Sequence, residues 1–597
     1  MEREEHYDVV IVGGGMSGVC AALAAARSGA RTALLQDRSV LGGNASSEVR
    51  MHICGASSQG KHANARETGI VEEILLENKM RNPSHSFYVF DRILWEKVRY
   101  QEGLDLFLNT AMLTVEMEGK TITAVQARQS VSEQPFRFAA KLFIDCSGDG
   151  LLAKLAGATV MRGREAADIF QEPGAVKRSD PVTMGNTILF HAIDAGKSVP
   201  FERPAWAHNY RESEWIRNMK FVEIDSGYWW LEVGGTELDI IKDHDRIYEE
   251  LLKIVYGVWD FIKNELSPRA DTLVLDWVGS IAAKRESRRI VGDYVLKEQD
   301  LLESRTFADA VAYGGWHIDV HQPERFYTER VQGLPEQEEK SIFLDDLYAI
   351  PYRSLYARDV DNLLIGGRII SASHRAFGST RVMGTCAVVG QAIGTAAAMA
   401  VQGGCLPREL GGRIGELQQQ LLKDDCYIPG VANRDEADLA RQAHIASSSA
   451  VADGACAHVV SGITRTVKAD SHLWMSESLE AGAQWIALSW AQPVRLSELR
   501  LTFDSKLSAE IMPSLSRWIQ SKQDPHVPDT LAADYEVALY RGGDLVGEQR
   551  VSDNYQRLRV HGLNAVLCDR VKITVTRTRG CPEARIFEIR AYGEQPQ

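Results

Sequence analysis

Three histidines and a handful of arginines give this chain its capacity for chemistry. His317 and His321 stand in YGGWHIDVHQPE (Tyr313 to Glu324), and His374 stands in SASHRAFGSTR. Imidazole titrates in the working range of most enzymes, so each is a candidate general base, with a plain core or loop-anchoring role as the alternative. A base at any of them could take a hydroxyl proton while hydride leaves the adjoining carbon. The i,i+4 spacing puts His317 and His321 on one face of a helix, and the alternation of Ile318 and Val320 with Asp319 puts them on one face of a strand as well. Asp319 joins that face only on a strand, where the three would form a metal set. No other Cys or His cluster lies nearby in sequence, and the reading is no metal. Arg375 and Arg381 could anchor an anionic or polyhydroxylated substrate, or offset the charge of a reduced cofactor. Arg285 and Arg289, in RESRR, share one face if that run is helical, and Trp316 adds an apolar surface; with Arg375 they make the substrate-binding set.

Such chemistry needs a hydride acceptor, and the N-terminus supplies a place for one. VVIVGGGMSG, Val9 to Gly18, is a β-branched strand running into Gly13-x-Gly15-x-x-Gly18, followed by an Ala-rich helix and a second strand from Thr32 to Leu35. The first glycine permits the turn, the second admits a pyrophosphate, and the third packs helix on strand, so that Met16 and Ser17 open a helix whose N-terminus faces the phosphates. The ribose position falls on Gln36 or Asp37, with Arg38 next. Gln36 stands where an acidic residue is usual, a departure that leaves the ribose contact open between the two. Gly42, Gly43, Asn44, Ser46 and Ser47 then form a small-residue turn suited to a second phosphate and a flavin ring, which favours FAD over NAD. No later glycine fingerprint follows a strand, so electrons are expected to enter from the substrate rather than from NAD(P)H.

Two distant segments agree: KLFIDCSGDG (Lys141 to Gly150) and DNLLIGGRIISASHRAFGSTRVMGTCAVVGQAIGTA (Asp361 to Ala396). Together with LGGNASSEVR and RESRRIVGDY they give the chain its resemblance, over Tyr7 to Gly430, to FAD-dependent oxidoreductases of the glutathione-reductase-type nucleotide fold. The resemblance implies that Ser147 and Gly148 approach the diphosphate and that Gly367 and Arg368 flank the cofactor. It also implies that the helix opening at Val382 to Cys386 points its N-terminus at the flavin pyrimidine, although its small residues also suit plain helix packing. The expected cofactor contacts are completed by Ala111, Met112, Cys146, Arg381 and Thr385. Related flavoproteins include covalent ones, but the surroundings of His52 and Cys54 are not a close match for attachment. In this family the insertion between the flavin segments, which here carries YWW at 228–230, Trp277 and the two histidines, caps the flavin and shapes the substrate pocket.

The last third is a different object. After Gly430 a polar run leads to ASSSAVADGACAH, and from there alternating segments such as VRLSELRLTFD, DYEVALYRGG and RIFEIRAYGE predict an antiparallel β-sandwich. The set resembles discoidin-like, galactose-binding-like domains. The expected architecture is an α/β FAD-binding Rossmann-type domain (1–155 and 349–430) with an inserted α+β cap (156–348), a linker (431–446) and the sandwich (447–597).

A net charge of -14 argues against a nucleic-acid partner and for a small-molecule substrate. The acidic start MEREEHYDVV enters the first strand without a signal-peptide pattern, which reads as a cytoplasmic protein. Val9 to Ala26 reaches the length of a membrane span, but its glycines and its strand-to-helix switch assign it to the nucleotide fold, and no other stretch competes. The nine scattered cysteines read as reduced thiols. A flavin enzyme joined to a glycan-binding-like sandwich points to oxidation of a carbohydrate or related secondary alcohol by hydride transfer to flavin N5. The rivals are a flavin-dependent reductase of an activated double bond and a non-catalytic module that retains FAD and binds through its sandwich. In the enzyme reading, activity is expected to survive truncation after Gly430. The electron acceptor is not specified by the sequence, and a homodimer is the default assembly.

Overall fold

The computed structural model describes residues 2–57, 61–218, 221, 223–226, 231–266, 268–327, 338 and 341–594. The YWW at 228–230 lies outside them. Strand β1 (Arg3–Val12) is exposed at its charged start and buried through its last residues, where VVIV is packed on both faces. It takes the centre of a seven-stranded sheet whose order is β3 (Leu104–Phe107), β2 (Thr32–Leu35), β1, β6 (Pro135–Asp145), β5 (Thr121–Gln129) and β4 (Thr110–Glu118). A further strand, β7 (Leu363–Ile365), pairs in parallel with the end of β6, at Phe143 to Asp145. The pairs β1–β2, β2–β3 and β1–β6 are parallel too, so Val12, Leu35, Phe107, Asp145 and Ile365 end at one edge of the sheet. In open α/β sheets that carboxyl edge is where ligands bind.

Between 156 and 348 the structure builds small pieces of sheet, including a three-stranded one (Glu232–Val233, Asn186–Thr187 and Ala283–Lys284), around a long helix, α2 (His244–Glu265). Ile247, Leu251, Ile254, Val258 and Ile262 of that helix enter a hydrophobic cluster separate from that of the flavin-type sheet.

Behind the sheet, α1 (Met16–Arg27) crosses the long helix α4 (Met383–Gly403), which follows a shorter one, α3 (His374–Thr380). The contact is backbone on backbone: a Cβ on Gly390 would stand 2.1 Å from the Ser17 carbonyl oxygen, and one on Gly394 would stand 2.2 Å from that of Ala21. Helix α4 is long and apolar enough to cross a bilayer, which corrects the expectation that no second stretch competes; 89% of its most apolar window is buried inside the protein. All nine cysteines are free thiols.

The C-terminal part is an antiparallel sandwich with strand order β9 (Trp474–Ser478), β14 (Glu583–Glu594), β10 (Gln484–Phe503), β13 (Leu558–Thr578), β11 (Ala532–Arg541) and β12 (Asp544–Val551), and β8 (His444–Ser447) pairs with β10. Long strands β10 and β13 shift register twice along their pairing, which lets each curve through the sheet. The sandwich is not hung on a free tether. Arg557 pairs with the buried Asp425 at 2.9 Å, Arg590 donates to the Leu422 carbonyl at 3.0 Å, and Trp490 donates to that of Leu439 at 2.9 Å. One hydrophobic cluster runs from α1 and α4 through to Trp474, Leu488 and Val571.

Candidate functional site

The carboxyl edge of the parallel strands opens on a cavity of about 580 Å³. The three fingerprint glycines, Gly13 and Gly15 on its floor and Gly18 behind it, differ in what surrounds them. At Gly13, with φ +103°, a Cβ would stand 2.3 Å from the Cys146 carbonyl oxygen; at Gly18 it would stand 1.8 Å from that of Gly13; at Gly15 it would meet nothing. Thus Gly13 makes the turn, Gly18 makes the helix–strand contact, and Gly15 leaves room at the mouth of α1 for a pyrophosphate. This open cradle, flanked by the cations of Arg38, Lys284 and Arg368, fits FAD.

Most expected cofactor contacts line this one space: Gly13, Gly15, Met16, Ser17, Gln36, Asp37, Arg38, Gly42, Gly43, Asn44, Ala111, Met112, Cys146, Ser147, Gly148, Gly367, Arg368, Arg381 and Val382. Gly18, Ser46, Ser47 and Thr385 stand behind the lining. Ser46 braces its turn on the Gly43 carbonyl (2.7 Å), the Ser47 amide donates to Asp91 (3.1 Å), and Thr385 reaches buried Glu67 (3.4 Å). The choice between Gln36 and Asp37 acquires a physical basis. Gln36 is buried, accepts from the Gly14 amide at 2.9 Å and donates to the Val40 carbonyl at 3.0 Å, whereas the carboxylate of Asp37 is exposed on the cavity. Asp149 and Lys284, 2.5 Å apart, also line the space, and Arg368 bonds Asp149 at 3.2 Å. The sequence reading stopped one residue short of each, at Gly148 and Arg285.

At the substrate end His317, Asp319 and His321 line the cavity together, in the extended arrangement and not the helical one; Ile318–Asp319 is a strand paired with Ser341–Ile342. Asp319 is the hub: it accepts from His321 Nε2 at 3.0 Å and from Arg381 Nη2 at 3.3 Å. Burial would raise its carboxyl, but His321, Arg381 and His317 hold it far below the usual range. His321 turns its other nitrogen to Glu232, 2.6 Å away, and Arg285 pairs with the same Glu232 oxygen at 3.0 Å. Burial would raise Glu232 too, yet Arg285 and His321 pull it down to about 2. Among the described residues no group of His, Cys, Asp and Glu is placed to hold a metal ion.

His317 differs from its neighbour. Its ring stacks on Phe343 and lies tilted against Trp316, with centroids 4.8 and 4.6 Å away, and its buried Nδ1 has no hydrogen-bond partner among the described residues. Burial lowers its pKa, with Asp319 opposing, so it stands neutral at pH 7. His52 lines the same cavity and is also neutral, brought down to about 4 by burial and Arg285; beside it burial pushes the Cys54 thiol up. Trp316, Arg285 and Arg325 complete this end.

Three expected residues lie elsewhere. His374 is buried at the start of α3, its Nδ1 3.0 Å from Glu286 and its Nε2 3.0 Å from Glu338. Burial alone would lower its pKa, but the two carboxylates outweigh it and raise it to about 10, so this imidazole is already protonated at neutral pH and is not poised to take a proton. Arg375 is fully buried against Glu298 (2.7 Å), and Arg289 against Glu165 (3.0 Å). No helix joins Arg285 to Arg289, since Arg289–Ile290 is a strand paired with Val160–Met161; each arginine is drawn to its own carboxylate, and only Arg285 reaches the cavity.

Known proteins bear on the two parts separately. The C-terminal region is similar to a fucose-binding module of Streptococcus pneumoniae, with 14% identity and TM-score 0.21 over 26% of this chain and 98% of that one. It is also similar to the family 32 carbohydrate-binding module of C. perfringens NanJ, with 15% identity and TM-score 0.20 over 26% and 98%. A chitosan-binding module from a Paenibacillus sp. IK-5 chitosanase/glucanase gives 15% identity and TM-score 0.19 over 26% and 98%. These likenesses cover a quarter of the chain and say nothing of its ligand. No curated protein matches the chain. The family model for FAD dependent oxidoreductases spans residues 8–421, which include the glycine cradle, the Asp319 cluster and both flanking helices. The chain belongs to the FAD dependent oxidoreductase family, and its cofactor is FAD.

Proposed function

We propose that this enzyme oxidises a carbohydrate or related secondary alcohol and that His317 is the general base. The observation that carries the reading is the state of His317, a neutral imidazole on the cavity with a buried nitrogen that has no partner among the described residues, beside a hub of fixed charge. FAD, when bound, supplies the two-electron acceptor. His317 takes the hydroxyl proton as the carbinol C–H bond releases its hydride, leaving a ketone. Arg285, Arg325 and Arg381 supply the positive field that steadies the developing alkoxide, and Asp319 keeps Arg381 and His321 in place. The indole of Trp316 offers an apolar face for a sugar ring. The segment 156–348 supplies Arg285, His317 and Asp319 to this end of the cavity and acts as its cap.

One observation favours the reverse direction as a second reading. Burial and the nearby Arg381 lower the pKa of Arg285, which makes it a better proton donor to a reducing double bond. Anaerobic mixing of the flavin-loaded protein with monosaccharides, disaccharides and glycosides decides between the two. Bleaching of the oxidised flavin band by one sugar class supports the dehydrogenase. No bleaching by any sugar, with reoxidation of the dithionite-reduced protein by an unsaturated dicarboxylate, supports the reductase.

A further inference from the structure

The cavity has a wall that comes from outside the oxidoreductase region. Trp518 and Ile519, from the short helix α5 (Arg517–Ser521), line it together with Thr187 and His244. They belong to the sandwich, in the excursion 504–531 between β10 and β11.

That excursion is fastened at both ends to the rest of the enzyme. On one arm Arg66 donates to the carbonyls of Ser505 (2.8 Å) and Lys506 (3.0 Å), and Lys79 donates to that of Asp524 (2.7 Å). On the other, Glu223 accepts from Ser516 Oγ at 2.6 Å and from the Trp518 amide at 2.8 Å, Arg517 pairs with Asp225 at 3.0 Å, and Ser226 donates to the Leu515 carbonyl at 3.1 Å. The indole is thereby held at the cavity while 46% of Trp518 is exposed, and Lys522 sits 3.4 Å from the ring centroid. Bonds to a second part of the chain thus fix Trp518 on the wall of a cofactor cavity, with nearly half of its surface open and its ring beside the Lys522 ammonium, where it can stack on the apolar face of a bound ring.

We propose that the excursion 504–531 completes the substrate cavity and that Trp518 is a specificity-determining residue, taking the apolar ring face of the substrate remote from the reacting carbon. The identity of that ring as a sugar rests on the function proposed above; the position of Trp518 on the cavity does not.

The test uses the full-length, flavin-loaded protein, with Trp518→Ala and Trp518→Phe compared for flavin spectrum and thermal unfolding before use. Galactose, glucose, their phenyl glycosides and lactose are mixed with each anaerobically. For whichever sugar bleaches the flavin, half-maximal bleaching in Trp518→Ala needs about three- to tenfold more sugar, with Trp518→Phe between it and the parent and the limiting rate unchanged. An unchanged half-saturation, or a loss confined to the limiting rate, overturns the proposal. If no sugar bleaches the flavin, the carbohydrate reading fails on its own and the wall is read separately. Trp518→Cys carrying a bulky maleimide then slows dithionite bleaching about tenfold or more relative to the parent treated alike, because an adduct at 518 fills the cavity; an unchanged rate overturns it.

Discussion

His317 and His374 are the same side chain in opposite electrostatic surroundings. His317 is desolvated beside a single distant carboxylate oxygen, 3.9 Å away, and loses its proton; His374 sits between two carboxylates and keeps it. Nothing local distinguishes WHID from SHRA, because Glu286 and Glu338 reach His374 only through the fold. The raised pKa makes His374 a stability element with a defined pH window. A folded pKa above the unfolded value contributes stabilisation that is fully present below about pH 6.5 and is lost as pH rises through about 10. His374→Gln is therefore expected to lower stability by roughly 3 kcal/mol near neutrality, since it strands buried carboxylates, with the deficit shrinking toward pH 10. Denaturant melts of parent and variant at pH 6, 8 and 10 check this. A deficit that grows with pH contradicts it.

At the scale of elements, the cradle was legible and the charge pairs were not. A strand, three spaced glycines and a helix are encoded within a dozen neighbouring residues, and the open space at Gly15 follows from that local pattern. The choice between two uses of the small residues in α4 was not local: Gly390 and Gly394 serve contact with α1 at Ser17 and Ala21, while Val382, Met383 and Cys386 at the same helix's start face the cavity. Packing and cavity lining fall on different turns of the helix. Gly390→Ala places a methyl against a backbone oxygen that cannot retreat, and is expected to destabilise the protein by about 1–3 kcal/mol. Chemical denaturation measures it, and an unchanged midpoint would mean the helices separate freely. The RESRR run misled because its spacing suits a helix, whereas the arginines are parted by a strand pairing with Val160–Met161 that periodicity does not reveal.

Over the whole molecule, the sandwich was legible as a fold, and the contacts that fasten it to the oxidoreductase region were not. Alternation in VRLSELRLTFD and RIFEIRAYGE specifies strands, but it carries no information about the buried contacts of Arg557 with Asp425 or of Arg66 with Glu72 and the Ser505 carbonyl. A chain cut after Gly430 leaves Asp425 without Arg557 and Arg66 without the Ser505 carbonyl, and uncovers the cluster that α1 and α4 share with Trp474 and Leu488. Such a fragment is expected to be recovered without flavin or as aggregate, and size-exclusion chromatography with flavin absorbance reads the outcome. A monodisperse, flavin-loaded fragment with parental activity would restore the picture of a separable module. What unites the molecule is one cavity that draws its cradle from the flavin-type sheet, most of the charges at its substrate end from the insertion and one wall from the sandwich. The measurement that bears most directly on the account is the limiting rate of anaerobic flavin bleaching by a reacting sugar, for the parent and for His317→Gln, across pH 5 to 8. With His317 as base, the parental rate falls only below pH 6.5, where the imidazole gains its proton, and the variant keeps its flavin spectrum while losing about 10²- to 10⁴-fold in rate. A variant rate within about twofold of the parent, with the same pH profile, would contradict it.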